Sequence, residues 1–233
     1  LSFFFSFFFL LFFLFLFFVL FFLLIKQKHT VASTLGFFMC YAAENPEAVA
    51  KAQEEIANQV GNHRLVSLED EDNLPYCRAV IKETLRLAAP VPINTRMTTE
   101  DTVLQGYTIP KGTAVMPHLY ALHRDESVWG PDALEFKPER FLDDLQVTVG
   151  SPREQRWLPY GASHRLCLGY RLAQAELFLY ITSIMQCFEV VSGRPGHKFS
   201  DNQVMGITIH PKEVDVFLKP RPAYRELIAG GPE

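Results

Sequence analysis

The chain has 233 residues, 48% of them hydrophobic and 21% charged, with 22 Lys and Arg against 26 Asp and Glu for a formal net charge of -4. That balance suits one globular domain, and no basic excess points to nucleic acid. Four cysteines without a regular framework argue against a disulfide scaffold and fit a reducing, cytosol-facing compartment.

Leu1 to Ile25 holds 13 Phe, eight Leu, two Ser, one Val and one Ile, with no charge and no Gly or Pro. As a helix rising about 1.5 Å per residue it reaches roughly 37 Å, enough to cross a hydrocarbon core of about 30 Å. A signal peptide fits less well, because no basic region precedes the tract and no small-residue cleavage site follows it. Lys26 and Lys28 favour a cytoplasmic C-terminal side. A second origin stands beside the anchor: Phe, Leu and Ser are what pyrimidine-rich nucleotide sequence encodes, and the chain does not begin with Met, so the tract also reads as mistranslated non-coding sequence.

Thr30 to Ala43 reads as a buried helix. Asn45-Pro46 then starts another, with Asn as cap, Pro at the first position and Gly61 at its end. Its buried stripe is Val49, Ala52, Ile56 and Val60, while Glu54 and Glu55 are expected in solvent. Gly61 to Asn73 is polar and reads as a surface loop. Leu74 to Leu87 returns to helical spacing, with Cys77, Val80, Ile81 and Leu85 on one face and Glu83 and Arg86 on the other. Asp101 to Leu119, broken by Gly106 and Gly112, reads as a β-hairpin region. His123-Arg124-Asp125 is similar to a kinase catalytic loop, but no glycine loop and no downstream Asp-Phe-Gly accompany it. Val204 to Pro220 alternates well enough for a terminal hairpin, and Tyr224 to Glu233 reads as a loose tail.

The chemically loaded stretch is Tyr160-Gly161-Ala162-Ser163-His164-Arg165-Leu166-Cys167-Leu168-Gly169. Leu168, Leu172, Ala175 and Leu179 recur at helical spacing behind it, so Cys167 falls at or just before a helix start. Unpaired backbone N–H groups, the helix dipole, Arg165 and Arg171 all favour a thiolate there. Such a sulfur is a nucleophile, a metal ligand or a buried structural Cys. Zinc would require further Cys or His nearby, and Cys40, Cys77 and Cys187 are scattered. One thiolate suffices for haem iron, where it pushes electron density onto the metal.

The decapeptide resembles the haem-binding loop of cytochromes P450, Phe-Gly-x-Gly-x-Arg-x-Cys-x-Gly, with Tyr160 for the Phe and Ser163 for the second Gly; Gly161, Arg165, Cys167, Gly169 and the later Ala173 match. Three further motifs follow that family's order: a distal-helix remnant at His29-Thr30, the Glu83-x-x-Arg86 pair, and Pro138-Glu139-Arg140-Phe141. The resemblance implies a mainly α fold with small β-sheets, the C-terminal half of the P450 fold, preceded by a hydrophobic N-terminal helix. It divides the chain into the segment 1–25, a partial P450 domain over 29–222 and a tail over 223–233.

The resemblance also implies roles. Cys167 is the axial ligand of haem b, in a bed formed with Tyr160, Gly161, Gly169 and Ala173, and Arg96 and Arg165 pair the haem propionates. Thr30 manages proton delivery to dioxygen, with His29 where the family has an acid and Lys26-Gln27 where it has a small pair. Glu83, Arg86 and Arg140 form a buried structural cluster. Val91, Ile93, Asn94, Thr95, Met205 and Ile207 line the substrate pocket. A whole enzyme of this membrane-bound, class II-like kind draws two electrons from NADPH-cytochrome P450 reductase. It places one atom of O2 in an apolar substrate, on the cytosolic side of the endoplasmic reticulum membrane. Arg156, Arg165 and Arg171 would face the reductase. Two other readings stay open: a haem-thiolate isomerase or dehydratase that needs no reductase, and a non-catalytic remnant whose 233 residues do not hold haem stably.

Overall fold

The structure is a computed structural model and describes residues 29–142, 156–222 and 224–225; the Leu1–Ile25 tract and most of the tail lie outside the described residues. Residues 29–44 form helix α1. There follow α2 (Pro46–Gln59), α3 (Pro75–Ala88), the short α4 (Leu119–Leu122) and α5 (Glu126–Trp129), and α6 (Tyr170–Cys187). Among the described residues eight strands make four separate two-stranded antiparallel sheets: β1 (Arg96–Met97) with β4 (Ala114–Val115), β2 (Thr102–Leu104) with β3 (Tyr107–Ile109), β5 (Phe188–Ser192) with β8 (Val216–Pro220), and β6 (Gln203–Met205) with β7 (Ile209–Pro211). The architecture is mainly helical with small sheets. Among the described residues no helix is long and apolar enough to cross a membrane.

The core forms where α1, α2, α3 and α6 meet. Val31, Phe38 and Ala42 of α1 pack with Val49, Ala52 and Ile56 of α2, Cys77, Val80 and Leu85 of α3, and Leu177, Phe178, Ile181 and Met185 of α6. The α6 stripe differs from the one read off the sequence. Leu168 precedes the helix and is 94% exposed, and Leu172 is half exposed, whereas the buried positions start at Leu177. Apolar spacing identifies a helix but not which apolar face the rest of the fold covers, and here the face of Leu168 is turned to a cavity described below.

Two predicted polar features take other roles. Asn45 does not cap α2; its amide donates to the Tyr41 carbonyl at 2.9 Å and so closes α1, while Pro46 supplies the first position of α2. Glu55 is not in solvent: its two carboxylate oxygens accept the Tyr76 and Cys77 N–H groups at 2.8 and 2.9 Å and cap α3 from the neighbouring helix. The predicted surface loop contains a 3-10 helix, Leu68–Asn73. Asp70 anchors it by accepting from the Ser67 N–H and from both Nη atoms of Arg64 at 2.7 Å, bonds that hold its carboxyl well below the usual carboxylate range. The predicted terminal hairpin also resolves differently. β6 and β7 pair, but β8 crosses to β5, with Val190 opposite Leu218, because β5 leaves α6 directly and offers the edge.

Under α3 lies a buried ionic cluster. Glu83 and Arg86 are both fully buried, so the polar face of α3 is not a solvent face. Glu83 takes Arg86 Nε and Nη2 at 2.7 and 2.8 Å, Arg140 Nε at 2.9 Å and the Lys137 N–H at 2.8 Å. The remaining guanidinium protons reach the carbonyls of His123, Ala133 and Asp132. One carboxylate and two guanidiniums thereby tie α3 to the whole segment 123–140.

Removing one partner of such a cluster strands charge in the interior, which costs about 3–5 kcal/mol. Glu83→Gln should lower the unfolding free energy by that amount in a urea titration. Lys51→Ala, which breaks an exposed pair with Glu139, should leave the midpoint unchanged.

Candidate functional site

The loop over 157–169 is held at both ends. Its entrance is fixed by Trp157, whose Nε1 donates to the Lys82 carbonyl at 3.1 Å, and by the Leu158 N–H, which donates to His123 Nε2 at 2.9 Å. Within it the Gly161 N–H reaches the Leu158 carbonyl at 3.0 Å and the Cys167 N–H reaches the Tyr160 carbonyl at 2.9 Å, closing a turn that carries the Ser163–Arg165 3-10 helix. Gly161 has φ +76, where a side chain would strain the backbone. Ser163 sits at φ +57 and adopts without Gly the left-handed backbone. Cys167 is exposed and lies three residues before α6 begins at Tyr170, slightly earlier than the sequence spacing suggests.

His123 makes this geometry possible, and no sequence pattern singled it out for that role. It is fully buried, and burial, with Arg86 and Arg124 nearby, pushes its pKa down to about 3. The ring is therefore neutral at ordinary pH. Because Nε2 accepts from Leu158, Nδ1 carries the proton, and it has no partner among the described residues.

A cavity of about 440 Å³ separates the Cys167 loop from α1. Its lining takes Thr30, Val31 and Thr34 from α1, Tyr160, Gly161, Arg165, Cys167, Leu168 and Gly169 from the cysteine loop, and Ala173 and Leu177 from α6. Leu85, Pro90, Val91, Asn94 and Leu119 complete the lining. The structure thus brings together Thr30, Val91, Asn94, Tyr160, Gly161, Arg165, Cys167, Gly169 and Ala173. It leaves others outside the wall. His29 is exposed, and its carbonyl accepts the Ser33 hydroxyl at 2.6 Å. Ile93 bridges to His118, Thr95 is exposed, and Met205 and Ile207 are 65% and 94% exposed. Arg96 is not itself in the wall, but its guanidinium donates to the side chain of Asn94, which is.

Thr34 is a wall residue that the motif reading passed over. It stands one turn from Thr30 on the same helix face and donates to the Thr30 carbonyl at 2.9 Å, so i to i+4 spacing was the available signal.

The chemistry of this set fits a large, flat, mostly apolar group with one metal and negative charges at its edge. A single thiol faces the cavity, Arg165 borders it, and Leu168 offers bare apolar surface that only an occupant would cover. Among the described residues no group of three or more His, Cys, Asp or Glu could hold a bare metal ion.

Comparison with known proteins agrees with this fit. The family profile described as Cytochrome P450 matches residues 23–218. Human cytochrome P450 2U1 is 37% identical over 193 residues, which cover 82% of this chain and 35% of the relative. Cytochrome P450 82A1 of pea is 36% identical over 192 residues, with 82% and 35% covered. Cytochrome P450 18a1 of Drosophila melanogaster is 37% identical over 197 residues, with 83% and 35% covered. A solved zebrafish cytochrome P450, in a structure with abiraterone, superposes with a TM-score of 0.74 at 30% identity and covers 83% of this chain and 44% of its own. The chain therefore spans about a third of the length of the curated relatives it matches.

Two outcomes test the loop's construction. The Tyr160 hydroxyl is buried without a hydrogen-bond partner among the described residues, so Tyr160→Phe should raise stability by about 1 kcal/mol or more in urea titration. For His123 the unfolded state takes up a proton near pH 6.5 and the folded state only near 3, so stability is full above pH 6.5 and falls as the pH drops. The slope reaches at most about 1.4 kcal/mol per pH unit, and His123→Gln should flatten it between pH 6 and 4, measured by unfolding at each pH.

Proposed function

The chain belongs to the cytochrome P450 family, whose cofactor is thiolate-ligated haem b, and from that premise we propose that it forms the haem-ligating half of a monooxygenase. One observation carries the reading: Cys167, Thr30 and Arg165 line the same mostly apolar cavity. When bound, the haem supplies an iron at which O2 is divided with two electrons and two protons, one oxygen atom entering an apolar organic substrate and the other leaving as water.

The chain's own residues then have these tasks. Cys167 stands three residues ahead of α6, exposed and in the cavity lining, where its sulfur would ligate the metal. Arg165 and Arg96 meet the two carboxylates of the porphyrin edge, a match suited to planar, permanently charged forks. Tyr160, Gly161, Gly169 and Ala173 keep the bed shallow enough for a flat ring. Thr30, in the same lining, would hand a proton to a reacting group, with His29 as an outer relay. Val31, Leu85, Pro90 and Leu119 keep water from that space. Val91 and Asn94 contact substrate from the side, while Ile93, Thr95, Met205 and Ile207 would meet only the far end of a substrate longer than the cavity. Glu83, Arg86 and Arg140 act structurally.

The electrons come from NADPH-cytochrome P450 reductase, with exposed Arg156, Arg165 and Arg171 available to an acidic partner. On this reading Leu1–Ile25 anchors the protein by a single pass in the endoplasmic reticulum membrane, with residues 29–222 facing the cytosol.

The haem-reconstituted protein should show a thiolate-type ferrous-carbonyl absorption band. Cys167→Ala should abolish the band without changing the far-ultraviolet dichroism. A band that survives the substitution overturns the ligand and with it the monooxygenase reading. Thr30→Ala should keep the band and slow substrate oxidation roughly 100-fold, measured as product formed per NADPH-driven turnover.

A further inference from the structure

Asn94 lies in the cavity wall, and its side chain reaches two ways. Its Oδ1 accepts from Arg96 Nη1, and because a guanidinium can only donate, the amide oxygen must face Arg96. The Nδ2 end therefore turns toward the cysteine loop, where it lies 3.7 Å from the place a Cβ on Gly161 would occupy. The backbone beneath is fixed: the Asn94 N–H donates to the Pro117 carbonyl at 3.2 Å, Ile93 bridges to His118, and Arg96 pairs with Val115 in the β1–β4 sheet. The other bond of the guanidinium, to the Thr95 carbonyl at 3.1 Å, also uses Nη1. Among the described residues the edge formed by Nε and Nη2 takes no partner, and that edge is the one whose two parallel N–H groups match a carboxylate.

We propose that Asn94 is a positioning residue that holds Arg96 by one nitrogen so that its two-pronged edge meets a carboxylate of the occupant at the mouth of the cavity. The inference rests on the reading of the cavity as a haem site and changes the role of Asn94 from substrate contact to aligner of the charge. The bond to Asn94 limits the rotamers of a long side chain, so less freedom is lost when the carboxylate arrives.

The test compares protoporphyrin IX with its dimethyl ester, which has the same ring and no carboxylates. Binding of each to the 233-residue chain is followed at pH 7 by quenching of Trp fluorescence, since Trp157 packs edge-on to Tyr160 in the cavity wall at 6.4 Å. The wild type should bind the free acid about fivefold tighter or more, and Asn94→Ala should bring that ratio close to the value of Arg96→Gln. Asn94→Asp is the decisive variant. A carboxylate still holds Nη1 but neutralises the guanidinium, so the ratio should again fall close to the Arg96→Gln value, whereas a side chain that merely props the loop would leave it at the wild-type value.

Unchanged ratios in Asn94→Ala or Asn94→Asp, with thermal unfolding like the wild type, overturn the proposal. If the wild type binds acid and ester equally, the positioning role fails while the porphyrin site stands. If it binds neither, the haem reading fails and the inference with it.

Discussion

A single buried carboxylate holds the site in shape. Glu83 lies with no access to water between the guanidiniums of Arg86 and Arg140, and its two oxygens accept four N–H bonds. Such a cluster is not a strong source of net stability, because removing three charges from water offsets most of their attraction. Its effect is geometric. Arg86 holds the carbonyl of His123, His123 holds the N–H of Leu158, and Leu158 begins the turn that delivers Cys167. One residue before Glu83, the Lys82–Trp157 bond starts a parallel one, in which Trp157 packs edge-on to Tyr160. The sulfur is thus placed by α3 through two rigid aromatic or imidazole links, not by its own flexible loop.

The same arrangement leaves the cavity wall unsatisfied. An exposed thiol, a leucine almost wholly in water and a tyrosine hydroxyl with no partner among the described residues cluster within nine residues, from Tyr160 to Leu168. Their concentration in one stretch of the cavity lining fits a large, mostly apolar occupant. Ser163 adds a backbone in the left-handed region where glycine would be free of strain.

How much of this was legible in the sequence depends on range. Helices α1, α2, α3 and α6 announce themselves by local spacing, and Gly61 and Gly161 by the positive φ that their turns require. The cysteine loop was legible because its residues are adjacent in the chain. What the sequence hid were contacts between distant segments with no local signature. Glu55 caps a helix 21 residues away, β8 passes over its neighbour to join β5, and a buried His123 looked like part of an irrelevant tripeptide. The stripe of Leu168 and Leu172 misled for a related reason: apolar spacing reports a face to be covered, and the cover here is not the core. Met205 and Ile207 were placed by family resemblance alone, and the described tip of the β6–β7 hairpin is exposed to solvent instead of facing the cavity.

The account comes down to whether the sulfur of Cys167 is bonded to iron inside the hollow that Thr30 faces. X-ray absorption at the iron edge of the haem-loaded protein reads that bond without reference to activity. One sulfur scatterer in the metal's first shell, replaced by oxygen or nitrogen in Cys167→Ser, is the predicted result; a wild-type shell of nitrogen and oxygen alone would contradict it.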